Sequence, residues 1–339
     1  DHAEHLLYLM YCPPLSRFGS EPREKLYREG CDRLSELEAR LTFHIGSIDR
    51  FEGEGAVTFI PDQPRRSYTD RVRRCLEYIA AGDIYQANIS HRFTFETNRR
   101  ASSLLRDSLP FVQYGRLRRV NPSPFSACLC FDDLALVCSS PERLIRLGGR
   151  RAETRPIAGT RPRGKTAEED RRLIAELLAD PKERAEHLML VDLERNDLGR
   201  VCEYGSVLID DFMTVEQYSH VNHIVSNVAG TLRGEFTGLD LLKAVFPGGT
   251  ITGVPKIHCM EIIEELEPTR RGPYTGTLGY FGWSGDLDLN ILIRTLVLTK
   301  THGYVQVGAG IVADSDPDSE YDETLHKASA FFNALGRPA

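Results

Sequence analysis

The chain has no apolar stretch approaching the ~20 residues that a membrane-spanning helix needs; its apolar runs, such as 188–191, are short. It also has no excess of positive charge, since 42 Lys and Arg stand against 49 Asp and Glu, a net charge of −7. A duplex-binding surface is therefore not expected, and small-molecule chemistry or a protein partner is favoured. Repeats, low-complexity linkers and a secretory signal are absent, and the abrupt start at Asp1-His2-Ala3 reads as a chain lacking its mature N-terminus. The 8 cysteines show no disulfide framework. Cys128 and Cys130 sit two apart on an apparent strand, but no second pair or histidine spacing completes a zinc site. Reduced thiols in a cytosolic protein are the expected state. What is present, 41% hydrophobic and 27% charged residues over 339 positions, is the composition of a soluble globular protein. That length suits roughly two domains or one large α+β domain.

Periodicity predicts strands over 6–10 and 56–60, with a helix over 21–41 carrying Leu26, Leu34, Leu37 and Leu41 on one face. A polar, glycine-containing segment covers 48–55. Ser67 is the expected N-cap of a helix that Gly82 stops, and a strand follows over 84–95. Two strands over 125–147 flank an Asp132-Asp133 turn. Helices over 166–179 and 181–198 are separated at Asp180, an N-cap followed by Pro181, with Glu183 where a capping-box carboxylate stands. Further helices are expected over 239–246, 257–266 and 319–335, with a hairpin and strand over 284–308. Strands and helices interleave without regular βαβ spacing, which predicts a compact α+β enzyme rather than a Rossmann sheet.

Glu183 and Glu186 are three apart, as are Glu320 and Glu323, so each pair shares a helix face. Two such faces meeting in a cleft form an all-oxygen site suited to Mg²⁺. The competing readings are a helix cap at Glu183, a favourable N-terminal charge at Glu320 and an i+4 ion pair of Glu323 with Lys327. The loop Pro247-Gly248-Gly249-Thr250-Ile251-Thr252-Gly253-Val254-Pro255-Lys256 can offer backbone N–H groups to an anion, as can Gly308-Ala309-Gly310; tight turns are the plainer reading of both. His223, in an apolar strand-like run, is a core histidine or a general acid/base. Glu142 follows a strand, and its simplest partners are Arg143 and Arg146. Arg155, Arg161 and Arg163 surround a turn that solvation alone explains.

These signals occur together in longer strings: TRPIAGTRPRG at 154–164, AEHLMLVDLERNDLGR at 185–200, PGGTITGVPKIHCMEIIEELEP at 247–268 and VGAGIVADSDPDSEYDETLHK at 307–327. They resemble the chorismate-utilising enzymes, from about Ser67 to the C-terminus. The resemblance implies an incomplete end of an N-terminal region over 1–66 and a chorismate-binding catalytic domain over 67–339. It also implies that Glu186 and Glu323 ligate Mg²⁺ directly while Glu183 and Glu320 support it through water. The ring carboxylate of chorismate is then held by the metal with Lys327, Thr250 and backbone N–H groups at Gly308, Ala309 and Gly310. Tyr274 and Arg294 match the residues that hold the enolpyruvyl carboxylate. His223 matches the histidine near the C4 hydroxyl, and Glu142 the acid/base at the leaving group.

Within that resemblance, Gln86 occupies the position where water-adding members carry a lysine base. Glutamine cannot deprotonate water, so the resemblance implies ammonia, supplied by a glutaminase subunit. Ala158 stands where many aminodeoxychorismate synthases carry a nucleophilic lysine. Of the seven lysines, Lys256 is the only spare one inside a matched loop and the candidate substitute nucleophile. Ala158 points to the anthranilate-synthase type. Tyr85-Gln86-Ala87-Asn88, Asn121-Pro122-Ser123-Pro124-Phe125-Ser126-Ala127 and Gly248-Gly249 point to the aminodeoxychorismate-synthase type. The expected activity is the latter, amination of chorismate to 4-amino-4-deoxychorismate, a step toward 4-aminobenzoate and folate. The anthranilate-forming activity is the alternative, followed by a catalytically silent homologue. No nucleic-acid or membrane partner is expected.

Overall fold

A computed structural model describes residues 6–44, 57–97, 103–218 and 221–338, with the side chains of 42–44 and 103–108 left out. The polar segment expected over 48–55 lies outside the described residues. The chain divides after Gly55 into two units. The expected domain boundary follows residue 66, whereas the strand Val57–Pro61 belongs to the second unit.

In the first unit, helix α1 (Arg23–His44) covers the predicted helical period. Arg17 is fastened to it by an ion pair with Glu29 at 2.7 Å and also pairs with Glu21, just before the helix, at 2.6 Å. The strand expected over 6–10 is not formed. Leu7 and Met10 are exposed, and without a neighbouring strand an apolar run has no ladder to join.

The second unit opens with β1 (Val57–Pro61), α2 (Arg65–Ala81), β2 (Gln86–Glu96), α3 (Ser103–Val120), β3 (Phe125–Cys130) and β4 (Leu134–Ser140). Next come β5 (Arg143–Gly148), β6 (Arg151–Thr154), β7 (Ile157–Pro162), α4 (Ala167–Ala179), α5 (Pro181–Gly199), β8 (Leu208–Gln217) and β9 (Val221–Thr231). The remainder is α6 (Gly238–Val245), β10 (Gly253–Val254), α7 (Lys256–Leu266), β11 (Thr277–Phe281), β12 (Leu287–Ile291), β13 (Thr295–Thr299), β14 (His302–Ile311), α8 (Pro317–Leu335) and β15 (Gly336–Pro338). The eight-stranded sheet runs β15-β1-β2-β14-β13-β4-β3, with β10 also on β2. The seven-stranded sheet runs β11-β12-β5-β6-β9-β7, with β8 also on β9. This is an α+β arrangement, as expected.

Each sheet buries one face under helices. Phe59, Phe93, Val137, Leu296 and Val305 of the first sheet pack with Leu117 of α3 and Ala328 and Phe331 of α8. Ile145, Val228, Leu287 and Ile291 of the second pack with Val191 and Leu198 of α5 and Leu241 of α6. Several local predictions needed correction. The α2 N-cap is Pro64 rather than Ser67, whose hydroxyl instead donates to the Gln63 side chain at 2.7 Å. Gly82, at φ +84°, does end that helix. The segment 125–147 contains three strands rather than two, because Pro141 cannot donate to a ladder and the chain leaves one sheet for the other there. Among the described residues no helix is long and apolar enough to cross a membrane.

Candidate active site

The chain crosses between sheets at two adjacent places. One crossing joins β4 to β5 through Pro141-Glu142, and the other joins β12 to β13 through 292–294. They are hydrogen-bonded to each other: Ile291 N–H donates to the Glu142 carbonyl and Ser139 N–H to that of Arg294, both at 3.0 Å. Two residues far apart in sequence thus stand side by side. Arg294 holds φ +47°, a left-handed conformation uncommon outside glycine. Strain of that kind persists where surrounding structure over-determines it.

Glu142 is buried, and its carboxyl accepts the Thr250 hydroxyl at 2.8 Å. Burial pushes its pKa up to about 7, opposed by the Thr250 bond and by Lys327 and Arg294. It does not pair with the neighbouring arginines. Arg143 is engaged by Asp288 and Arg146 by Glu153. The Arg294 guanidinium has no hydrogen bond or ion pair among the described residues, and burial draws its pKa down against the attraction of Glu142. An unpaired, largely desolvated cation of this kind is suited to a bound anion.

His223 lies on β9 opposite Thr160 of β7, and its Nδ1 meets the Thr160 hydroxyl at 2.8 Å. Burial lowers its pKa to about 4, with Arg294 and Lys327 adding to the effect, so the ring is neutral at pH 7. The β7–β9 register shifts between Ala158 and Thr160, at Gly159 with φ +84°. Such a bulge re-aims the side chains beside it. Ala158 is buried there. The cationic turn is paired rather than merely solvated: Arg155 with Asp211 and Glu216, Arg161 with Asp180 and Glu183, Arg163 with Asp170.

Helix α5 begins as predicted, with Asp180 accepting from the Lys182 and Glu183 N–H groups and Pro181 in the first turn. Glu183 does not complete a capping box; Arg161 holds its carboxylate at 2.9 Å. One turn on, Glu186 accepts from Gln86 Nε2 of β2 at 3.2 Å. Burial raises the Glu186 pKa to about 7, with the like charges of Glu183 and Glu323 adding to the rise and Lys327 opposing it. Burial likewise raises Glu320, with Glu323 adding to it. Glu323 of α8 is therefore within electrostatic reach of Glu186 of α5. Lys327 bridges onward, donating to Glu323 at 2.6 Å and to the Gly308 carbonyl at 3.0 Å.

Gly308, Ala309 and Gly310 lie on β14 opposite Ser90, Ile89 and Asn88. A Cβ at Gly310 would stand 2.5 Å from Gln86 Nε2 and 3.5 Å from Glu186, and one at Gly308 would stand 2.9 Å from the Tyr274 hydroxyl. Only glycine leaves that floor clear. Tyr274 is buried, and burial raises its pKa. Among the described residues no three His, Cys, Asp or Glu side chains stand together as a closed metal cage. The donor chemistry still suits a hard divalent cation. The oxygens are all carboxylate, and their mutual repulsion at Glu186 is what a cation relieves.

Lys256 is not part of this group. Its ammonium donates to Asp197 at 2.6 Å and to the Val245 carbonyl at 2.9 Å. Sequence reasoning passed over Thr160 and Glu194, although both lie within quoted strings. Glu194 is buried, and its carboxyl accepts the Thr154 hydroxyl. Its signal was a carboxylate on α5 beyond the Glu186 face, indistinguishable by spacing from a solvated residue.

The sequence profile of the chorismate binding enzymes matches residues 22–333. Aminodeoxychorismate synthase component 1 of Bacillus subtilis is 50% identical over 305 residues, which cover 89% of this chain and 63% of that protein. Anthranilate synthase component 1 of Thermus thermophilus is 48% identical over 335 residues, covering 99% of this chain and 68% of that one. The crystal structure of anthranilate synthase component I from Streptococcus pneumoniae superimposes with a TM-score of 0.81 at 36% identity, over 97% of this chain and 70% of that one. The chain thus spans a little under two thirds of the length of the Bacillus relative.

Proposed function

Since this chain belongs to the chorismate binding enzymes, we propose that it aminates chorismate with ammonia to give 4-amino-4-deoxychorismate and water. The observation that carries this reading is the meeting of Glu142, a buried carboxyl held above the usual range, with Arg294 at one pair of sheet crossings and with Lys327 of α8 within electrostatic reach. Chorismate is a dianion with a hydroxyl to lose, and this group answers both features. Arg294 and Tyr274 bind the enolpyruvyl carboxylate. Lys327, with the backbone at Gly308–Gly310, orients the ring carboxylate. Glu142, whose carboxyl burial holds well above the usual carboxylate range, gives its proton to the departing C4 oxygen. Neutral His223, oriented by Thr160, accepts from or donates to that same hydroxyl. Gln86 cannot act as a base toward water, which favours ammonia as nucleophile.

Glu186 and Glu323, with Glu183 and Glu320 behind them, are the residues that would hold Mg²⁺. Such an ion supplies electrostatic grip on the ring carboxylate and offsets charge developing on the substrate. Ala158 offers no amine and Lys256 is engaged by Asp197, so ammonia itself is the proposed nucleophile. A glutaminase subunit is the proposed source, as the component 1 names of the relatives suggest. All eight cysteines are free thiols, which suits a reducing compartment.

Ala158, together with the anthranilate synthase relatives, favours a second reading, in which the product is anthranilate with pyruvate released. Incubation with chorismate, Mg²⁺ and an ammonium salt, followed by chromatography, separates the two. An aminated product that still carries its enolpyruvyl group is expected. Fluorescent anthranilate appearing directly selects the second reading, and no turnover overturns both.

A further inference from the structure

We propose that Lys256 is a positioning residue for Glu142: its ammonium ties both ends of the 246–255 loop to α5 and thereby fixes the Thr250 hydroxyl. The loop leaves α6 at Val245 and re-enters a helix at Lys256, the first residue of α7. Lys256 Nζ donates to the Val245 carbonyl at 2.9 Å, so the two ends of the loop are joined through one side chain. The same nitrogen donates to Asp197 of α5 at 2.6 Å, in a pair whose side chains are only 15% and 7% exposed. A buried pair of this kind is costly to break from one side, because the remaining charge is left without compensation.

Between its ends the loop lies along α5. Gly249 rests on Leu193, where a Cβ would fall 2.1 Å from Leu193 Cδ2. Leu193 and Asp197 are four apart and share one helix face, so the loop touches α5 at the turn and again at its end. Within the loop, Thr252 Oγ1 closes on the Gly248 carbonyl at 2.8 Å. What the turn presents to the site is Thr250, whose hydroxyl donates to Glu142 at 2.8 Å. The groups facing Glu142 are thus Thr250 from the loop, the Ile157 backbone N–H of β7, Lys327 from α8 and Arg294 from the neighbouring crossing, with the buried Glu194 on α5 also within electrostatic reach. Lys256 acts through the first of these. With a carboxylate and a carbonyl as its partners, Lys256 is held as a hydrogen-bond donor, whereas a nucleophilic amine needs a free lone pair.

The kinetic arm of the test rests on the proposed chorismate amination; the exchange arm needs no substrate. Lys256→Gln, Lys256→Arg, Thr250→Val and the Lys256→Gln/Thr250→Val double variant are compared with the parent chain. In Lys256→Gln, hydrogen exchange over 246–255 is expected to rise by about tenfold, as expected of a locally released segment, and to stay near the parent rate in Lys256→Arg. The kcat of Lys256→Gln is expected to fall about tenfold, and the Glu142 limb of its pH profile to move upward, because losing a donor to the ionised form raises a carboxyl pKa. Thr250→Val moves the limb the same way, and the double variant moves it no further, the non-additivity of two residues acting as one unit. Unchanged exchange, an unmoved limb, or additive shifts in the double variant each overturn the inference. Should Lys256→Gln fail to fold, Asp197→Asn replaces it, with the same limb shift expected and an unmoved limb overturning it. A parent chain that does not turn over chorismate defeats the proposed function and leaves the exchange arm to decide this one.

Discussion

Gln86 Nε2 donates to Glu186 Oε1 across 3.2 Å, so a strand of the first sheet and a helix packed on the second share a hydrogen bond inside the site. Gln86 Oε1 is itself buried without a donor among the described residues. A buried carbonyl left unpaired costs about 1–3 kcal/mol, and a ligand N–H, such as that of ammonia, relieves it. The bond also places the acidic face of α5 directly across from the glycine floor of β14.

Gly310→Ala tests that floor. Its backbone is an ordinary strand, so alanine introduces no strain there, but the methyl would lie 2.5 Å from Gln86 Nε2. The melting temperature is expected to stay close to the parent value, while KM for chorismate rises about tenfold or more, equivalent to 1.4 kcal/mol. An unchanged KM would show that the floor is not in contact with substrate.

Glu142→Gln changes the pH dependence of stability. Burial pushes the native carboxyl up to about 7 from an ordinary 4.5. Between those values the folded chain holds a proton that the unfolded chain has released, so stability falls as pH rises through this window and is level above it. The shift corresponds to at most about 3 kcal/mol. Urea melts at pH 5 and pH 8 should show the parent losing stability relative to Glu142→Gln by up to that amount. Parallel pH profiles would mean that Glu142 is not held neutral.

Arg294→Met separates binding from folding. Removing a largely buried cation that has no ion-pair partner among the described residues is expected to leave the melting temperature equal or higher. Turnover of chorismate is expected to fall by about 100-fold, the loss typical of a carboxylate deprived of its charged partner. A variant that unfolds while binding normally would contradict the assignment.

Metal dependence is read without turnover. Mg²⁺ at about 100 times its dissociation constant should stabilise the parent by about 2.7 kcal/mol, seen as a rise of several degrees in melting temperature. Glu186→Gln should lose most of that rise, because burial and the like charges of Glu183 and Glu323 together raise the Glu186 carboxyl, a cost that a cation offsets. An equal rise in both proteins would place the ion elsewhere.

Local structure was legible where the chain carries its own stop and start signals. Asp180 before Pro181 caps α5, and Gly82 ends α2. Such features depend on a few consecutive residues. Helix α3 was missed because Pro110 lies inside it and interrupts the pattern, and β8 because its acidic residues Asp210 and Asp211 read as loop. Glu183 illustrates the limit at a site residue, since the cap geometry around it was right while its actual partner, Arg161, comes from a different element.

By itself, the amino-acid order determined the α+β class, the carboxylate pairs at helical spacing and the strings that mark the family. Those rest on near-neighbour spacing and backbone chemistry. Only the tertiary structure decided that Glu142 and Arg294 stand at neighbouring crossings, that Glu323 of α8 comes within electrostatic reach of Glu186 of α5, and that Lys256 is clamped rather than free. The reason is physical. A carboxyl or an ammonium takes its charge state and its role from groups within a few ångströms, and here those groups come from segments far apart along the chain.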